Sequence, residues 1–115
     1  MAEDKVIIYG YNNLGSKVAS ILKMKSYRVI IVDIDEENCK KANEDGFEVF
    51  NYELMDDEEL IEIGINENVK AFFCVSKSEQ NNLFVTLSVR NLNKKIKIIS
   101  SAKTKEDNQK MILAG

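Results

Sequence analysis

The chain predicts a doubly wound parallel α/β sheet, and three observations predict it. Short apolar runs alternate strictly with helical stretches along its 115 residues. The first apolar run, residues 6–9, opens directly into a turn with glycine at Gly10 and Gly15. The second ends on a carboxylate, Asp33, at about the 20-residue spacing expected beyond such a turn. Strand, Gly-rich turn, helix, strand and acid is the order of a dinucleotide-binding βαβ unit. Right-handed crossovers then give a sheet ordered 3-2-1-4-5, helices on both faces in three αβα layers, and a ligand crevice above strands 1 and 4.

The elements follow in order. Residues 6–9 are continuously apolar, as a strand buried on both faces should be. Leu14, Val18, Ile21 and Leu22 recur at helical spacing and mark a helix over 13–25. Residues 29–32 form the second strand. Residues 36–45 form a helix that Asp35 caps and Gly46 stops. Phe47, Val49 and Phe50 make the third strand. Residues 56–63 predict a short helix whose acidic first turn suits the helix dipole, with Gly64 closing it. The fourth strand is 69–75, the fourth helix 79–92, the fifth strand 96–99, and a last helix 104–114. In the fourth helix Leu83, Phe84, Val85, Leu87, Val89 and Leu92 cover well over half the circumference, and Met111, Ile112 and Leu113 follow one another in the last. A single sheet face covers only a narrower stripe, so these two helices predict either subunit contact or packing against neighbouring helices.

Composition narrows the function. The length is that of one domain, 1–115, with 44% hydrophobic and 30% charged residues. A net charge of −3 and the lack of a basic face interleaved with aromatics argue against nucleic acid as a partner. Lys94, Lys95 and Lys97 cluster, as a solvated turn does. With no histidine, the commonest general base and metal ligand is missing, so no metal site is expected. No tyrosine is followed four positions later by lysine, the pair a short-chain reductase would use. No catalytic residues are assigned, and the chain is expected not to be an enzyme. Cys39 and Cys74 lack metal or redox spacing and predict free thiols, with Cys74 a small core residue. No apolar run approaches a membrane span and no signal peptide is evident, which predicts a cytoplasmic chain.

In the turn, Gly10 allows the tight bend and Gly15 the close approach of helix to strand, but the middle glycine is replaced by Asn12. Asparagine reaches left-handed backbone angles more easily than most residues, yet its side chain occupies space meant for phosphate. The amides of Asn12, Asn13 and Leu14 remain an anion site at the helix start. Tyr11 either packs over a ligand or shields the sheet edge. Asp33 either takes ribose hydroxyls, favouring NAD or an adenosine ligand over NADP, or is an exposed strand-end acid. The run Asp56, Asp57, Glu58, Glu59 complements a helix start more readily than it forms a metal site.

From Val6 to Gly115 the chain resembles the TrkA-N or RCK/KTN family, cytosolic regulators of potassium channels and transporters. The phrases that carry the resemblance are Ile-Tyr-Gly-Tyr-Asn-Asn-Leu-Gly (8–15), Val-Asp-Ile-Asp (32–35), Glu-Leu-Ile-Glu-Ile-Gly-Ile (59–65), Asn82-Leu83, Val-Arg-Asn-Leu-Asn (89–93) and Lys-Met-Ile-Leu-Ala-Gly (110–115). The resemblance implies a Rossmann-type regulatory domain that binds NAD(H) or an adenine nucleotide at the strand tips. It further implies assembly through later helices, here 79–92 and 104–114, so that ligand binding changes ion flow. Gly10, Gly15 and Asp33 match its binding pattern, and Ile34, Asn51, Tyr52 and Ser76 fall at ligand-facing positions. Three positions depart from it: Asn12 for the second glycine, Asn51-Tyr52-Glu53 for the usual Gly-Asp-Ala, and Ser101 for a basic residue after the fifth strand. Tyr52 is expected to stack on a base instead.

The expectation is therefore a regulatory domain at the inner face of the membrane, a piece of a larger channel or transporter subunit. The alternatives are the NAD-binding half of an oxidoreductase and a degenerate domain used only for oligomerisation.

Overall fold

A computed structural model describes residues 4–101. It contains β1 (Lys5–Tyr9), α1 (Asn13–Met24), β2 (Arg28–Val32), α2 (Glu36–Glu44), β3 (Glu48–Phe50), α3 (Asp57–Glu62), β4 (Val69–Cys74), α4 (Glu79–Leu92) and β5 (Lys97–Ser100). The helix expected over 104–114 lies outside the described residues. All four strand pairings are parallel, and the sheet is ordered β3-β2-β1-β4-β5, as the alternation predicted. The sheet sits between two helical layers in a Rossmann-type αβα arrangement.

Alternation within each central strand feeds both layers. In β1, Ile7 and Tyr9 join a core with Ile30, Phe72, Leu60 of α3, and Val85 and Val89 of α4. Val6 and Ile8 face the other way, toward Val29, Ile31, Ala19 of α1 and Ala42 of α2. Each such side chain contributes roughly 1.5–3 kcal/mol of burial, so the middle of the sheet is its most strongly held part. Lys5, just before the apolar run, is nevertheless buried at the opposite end from the turn. Its long stem lets Nζ reach the Ile63 carbonyl at 3.4 Å, and burial lowers its pKa.

Caps set where each helix begins. Asp35 accepts the Glu37 amide and Ser78 the Asn81 amide. At α3, Asp56 accepts the Glu59 amide while the Glu59 carboxylate reaches back to the amide of Leu54, itself at φ 61°. Two members of the acidic run therefore work as helix-start acceptors. Gly46 and Gly64, at φ 92° and 84°, end α2 and α3 as expected.

In α4 the apolar residues divide. The sheet-facing stripe is Asn82, Val85, Thr86 and Val89, two of them polar, while Leu83, Phe84 and Leu87 stay exposed. Val85 and Val89 thus belong to the monomer's own core.

Candidate functional site

Both glycines of the first turn are required by close approach. Gly10 has φ 115°, and a Cβ there would lie 2.6 Å from the backbone N and Cα of Ser76. A Cβ on Gly15 would lie 1.8 Å from the Gly10 carbonyl oxygen, so α1 could not sit this close to β1. Together they bring the α1 N-terminus beside the loop that leaves β4, where the strand order reverses.

Asn12 between them adopts φ −98° and ψ −166°, extended backbone open to any residue. The left-handed angles considered for it are not used. Its side chain turns back into the protein: Oδ1 accepts the Gly15 amide at 2.9 Å and Nδ2 donates to the Val75 carbonyl at 2.7 Å. Asn12 is the α1 cap and a strut between β1 and β4. One of the first-turn amides is thereby occupied, and those of Asn13 and Leu14 keep no partner among the described residues.

Asp33 is buried rather than an exposed strand-end acid. Its Oδ2 accepts the Tyr11 amide at 2.7 Å and the Asn38 side chain at 3.2 Å, and Oδ1 accepts the Asp35 amide at 2.8 Å. Three protein donors leave it limited capacity for ribose hydroxyls. Tyr11 contributes that amide, but its side chain points elsewhere. The ring sits edge-on to Phe47 and the hydroxyl donates to Asp45, and burial together with this bond raises its pKa. Asn51 donates to the carbonyls of Asp33 and Ile34 at 2.9 and 3.0 Å, tying the ends of β2 and β3. The Tyr52 ring tilts against Phe50 with centroids 5.5 Å apart, and a hydrogen bond with Glu62 raises the pKa of its hydroxyl.

Ser76 is held by a fully buried asparagine. Its amide and hydroxyl both donate to Asn82 Oδ1, at 3.0 and 2.6 Å, and its carbonyl accepts Asn82 Nδ2 at 2.9 Å. An amide on the sheet-facing stripe of α4 is the sequence signal for this clamp, because a buried amide needs built-in partners.

These elements frame three neighbouring clefts. The first, about 180 Å³, lies between the ends of β1, β2 and β4 and includes Gly10, Asn12, Asp33, Ile34, Ser76 and Lys77 in its lining. The second, about 540 Å³, passes the α1 N-terminus and is lined by Asn13, Leu14, Ser76, Lys77, Glu79 and Ser101, among others. The third, about 360 Å³, lies beside Ile34, Asn51, Tyr52 and Glu59. Gly15 and the Tyr11 side chain line none of the three. Sequence reasoning missed Lys77, the cation shared by the first two clefts, because nothing marks one lysine in a polar loop. It also missed Tyr9, whose hydroxyl donates to the Glu53 carbonyl at 2.9 Å and whose pKa burial pushes up to about 12.

The TrkA-N domain model matches residues 6–115. The chain belongs to the TrkA-N family. It is 31% identical over 115 residues to "Probable potassium channel protein 2" of Methanocaldococcus jannaschii, covering 98% of this chain and 34% of that protein. The TrkA-N domain thus spans about a third of the length of that curated relative. Among solved structures, the TrkA-N domain of the inner membrane protein ybaL from Escherichia coli superposes with a TM-score of 0.86 at 16% identity, over 99% of this chain and 84% of that one. The GsuK channel bound to NAD gives 0.85 at 19% identity, over 99% and 20%. At such identities these two likenesses show the shared fold. Among the described residues of this TrkA-N domain, no helix is long and apolar enough to cross a membrane.

Proposed function

We propose that this TrkA-N domain binds NAD(H) or an adenine nucleotide across the adjoining clefts and relays that binding to potassium transport. The observation that carries the reading is the placement of Lys77. It stands between two clefts at the strand-order reversal, beside the open amides of Asn13 and Leu14, where a diphosphate would meet one cation and two donors. Among the described residues Lys77 forms no ion pair. The channel name of the relative and the NAD in the GsuK channel support the same reading.

On this reading the domain is a binding and assembly module rather than an enzyme. It works in the cytoplasm against a membrane-embedded channel or transporter, as part of a homo-oligomer. Gly10, Asn12, Asn13, Leu14, Asp33, Ile34 and Ser76 shape the crevice. Gly15, Tyr11 and Asn51 hold its walls in place, and Tyr52 borders the base-side cleft.

Calorimetric titration of the full chain with NAD+, NADH and ADP tests this. Saturable binding is expected, weakened on the order of tenfold by Lys77→Gln as a charge-assisted contact is lost. No binding of any of the three would overturn the reading and leave oligomerisation as the domain's role. Sedimentation with and without the tightest ligand tests the relay, which requires ligand-dependent assembly.

A further inference from the structure

Glu79 is the first residue of α4 and stands on the wall of the second cleft with Lys77 and Ser101. Its Oε1 is closed off from solvent and accepts no hydrogen bond. A carboxylate at a helix start is ordinarily explained by the dipole or by capping. Here the capping bond to the Asn81 amide is made by Ser78 instead. A desolvated carboxylate oxygen without a donor is unfavourable, and turning the side chain into the cleft to meet a ligand's donor relieves it.

The charged groups are ordered along the crevice. Asp33 and Asp35 line the first cleft, Lys77 both, and Glu79 only the second. A diphosphate held at Lys77 therefore has Asp33 and Asp35 on one flank and Glu79 on the other. A second nucleoside carries hydroxyl and amide donors to Glu79. A terminal phosphate brings acceptors and negative charge, which Glu79 repels.

We propose that Glu79 is a specificity-determining residue that makes the crevice select a dinucleotide over a nucleoside di- or triphosphate. The proposal rests on the nucleotide reading of the crevice. Glu79 contributes on two counts, by accepting from the second nucleoside and by excluding an extended phosphate chain.

The test compares dissociation constants of the full chain for NAD+, ADP and ATP by calorimetry, in the wild type, Glu79→Gln and Glu79→Ala. Glutamine keeps the size of the side chain and removes its charge. The wild type should prefer NAD+ to ATP. Glu79→Gln should shrink that preference on the order of tenfold, with NAD+ weakened and ATP tightened, and Glu79→Ala should shift it the same way. An unchanged preference in both variants overturns the role of Glu79 while nucleotide binding stands. A wild type that binds none of the three overturns the nucleotide reading and this proposal together.

Discussion

The Asp33 carboxylate accepts the Tyr11 amide at 2.7 Å, so the end of β2 grips the middle of the turn leaving β1. The same carboxylate accepts the Asp35 amide, and Asp35 in turn caps α2. One buried acid thus sets the path of both segments that border the first cleft. Its first task is architectural, and any contact with a ribose is added to that.

Asp33→Ala should therefore destabilise the protein without any ligand present. It strands the buried Tyr11 amide and the part-buried Asp35 amide, a loss of about 2–4 kcal/mol. Urea unfolding of the ligand-free protein measures it. A variant as stable as the wild type would show that the carboxylate does not hold the turn.

Asn12→Gly separates the cap from the crevice. Glycine is a tolerable cap, but the bonds to Gly15 and Val75 are both lost, costing about 1–2 kcal/mol. The freed Gly15 amide joins those of Asn13 and Leu14, so NAD+ and ADP should bind severalfold more tightly. Denaturation and titration on the same preparation read both effects. Unchanged stability would contradict the strut, and unchanged affinity would show that the Gly15 amide is not limiting.

The sheet was legible because residues 6–9, 29–32 and 69–75 are short, apolar and separated by helical patterns, which leave little freedom of topology. The turn was legible as a place, through Gly10 and Gly15. The direction of its side chains was not. Tyr11 and Asn12 lie one residue apart, yet one turns toward Asp45 and the other toward Val75, and only tertiary packing decides that. Asn82 left a readable trace as an amide on a buried stripe. Lys77 left none, since a solvated loop lysine and one between two clefts look alike in sequence.

Alkaline pH should weaken the fold. The Tyr9 hydroxyl, raised by burial from 10.0 to about 12, keeps its proton in the native state over a range where the unfolded chain has lost it. Its contribution is complete below pH 10 and is lost as pH rises toward 12. Burial likewise raises the Cys74 thiol from 9.0 to about 12, so the decline begins nearer pH 9. Unfolding free energy followed from pH 8 to 11.5 should fall steadily, and Tyr9→Phe should reduce the slope above pH 10. Parallel curves for the two proteins would remove Tyr9 from the account.

The outer face of α4 should carry self-association. Leu83, Phe84 and Leu87 sit at neighbouring helical positions and are 36%, 45% and 51% exposed, while Val85 and Val89 from the same helix are fully buried in the sheet core. The helix thus has two apolar faces, and only one is used within the described residues. Exposed apolar residues grouped in this way favour a second surface, and a two-fold axis would let the same ridge supply both sides of the contact. Sedimentation of the full chain at micromolar concentration should show a dimer or larger species. Phe84→Glu places a charge on the ridge without touching the core, so it should shift the protein toward monomer and leave its unfolding midpoint, measured on the dilute monomer, within a few degrees of the wild type. Ile112→Glu tests, by the same measurement, the segment 104–114, which lies outside the described residues. A wild type that stays monomeric at high concentration would remove the case for this interface.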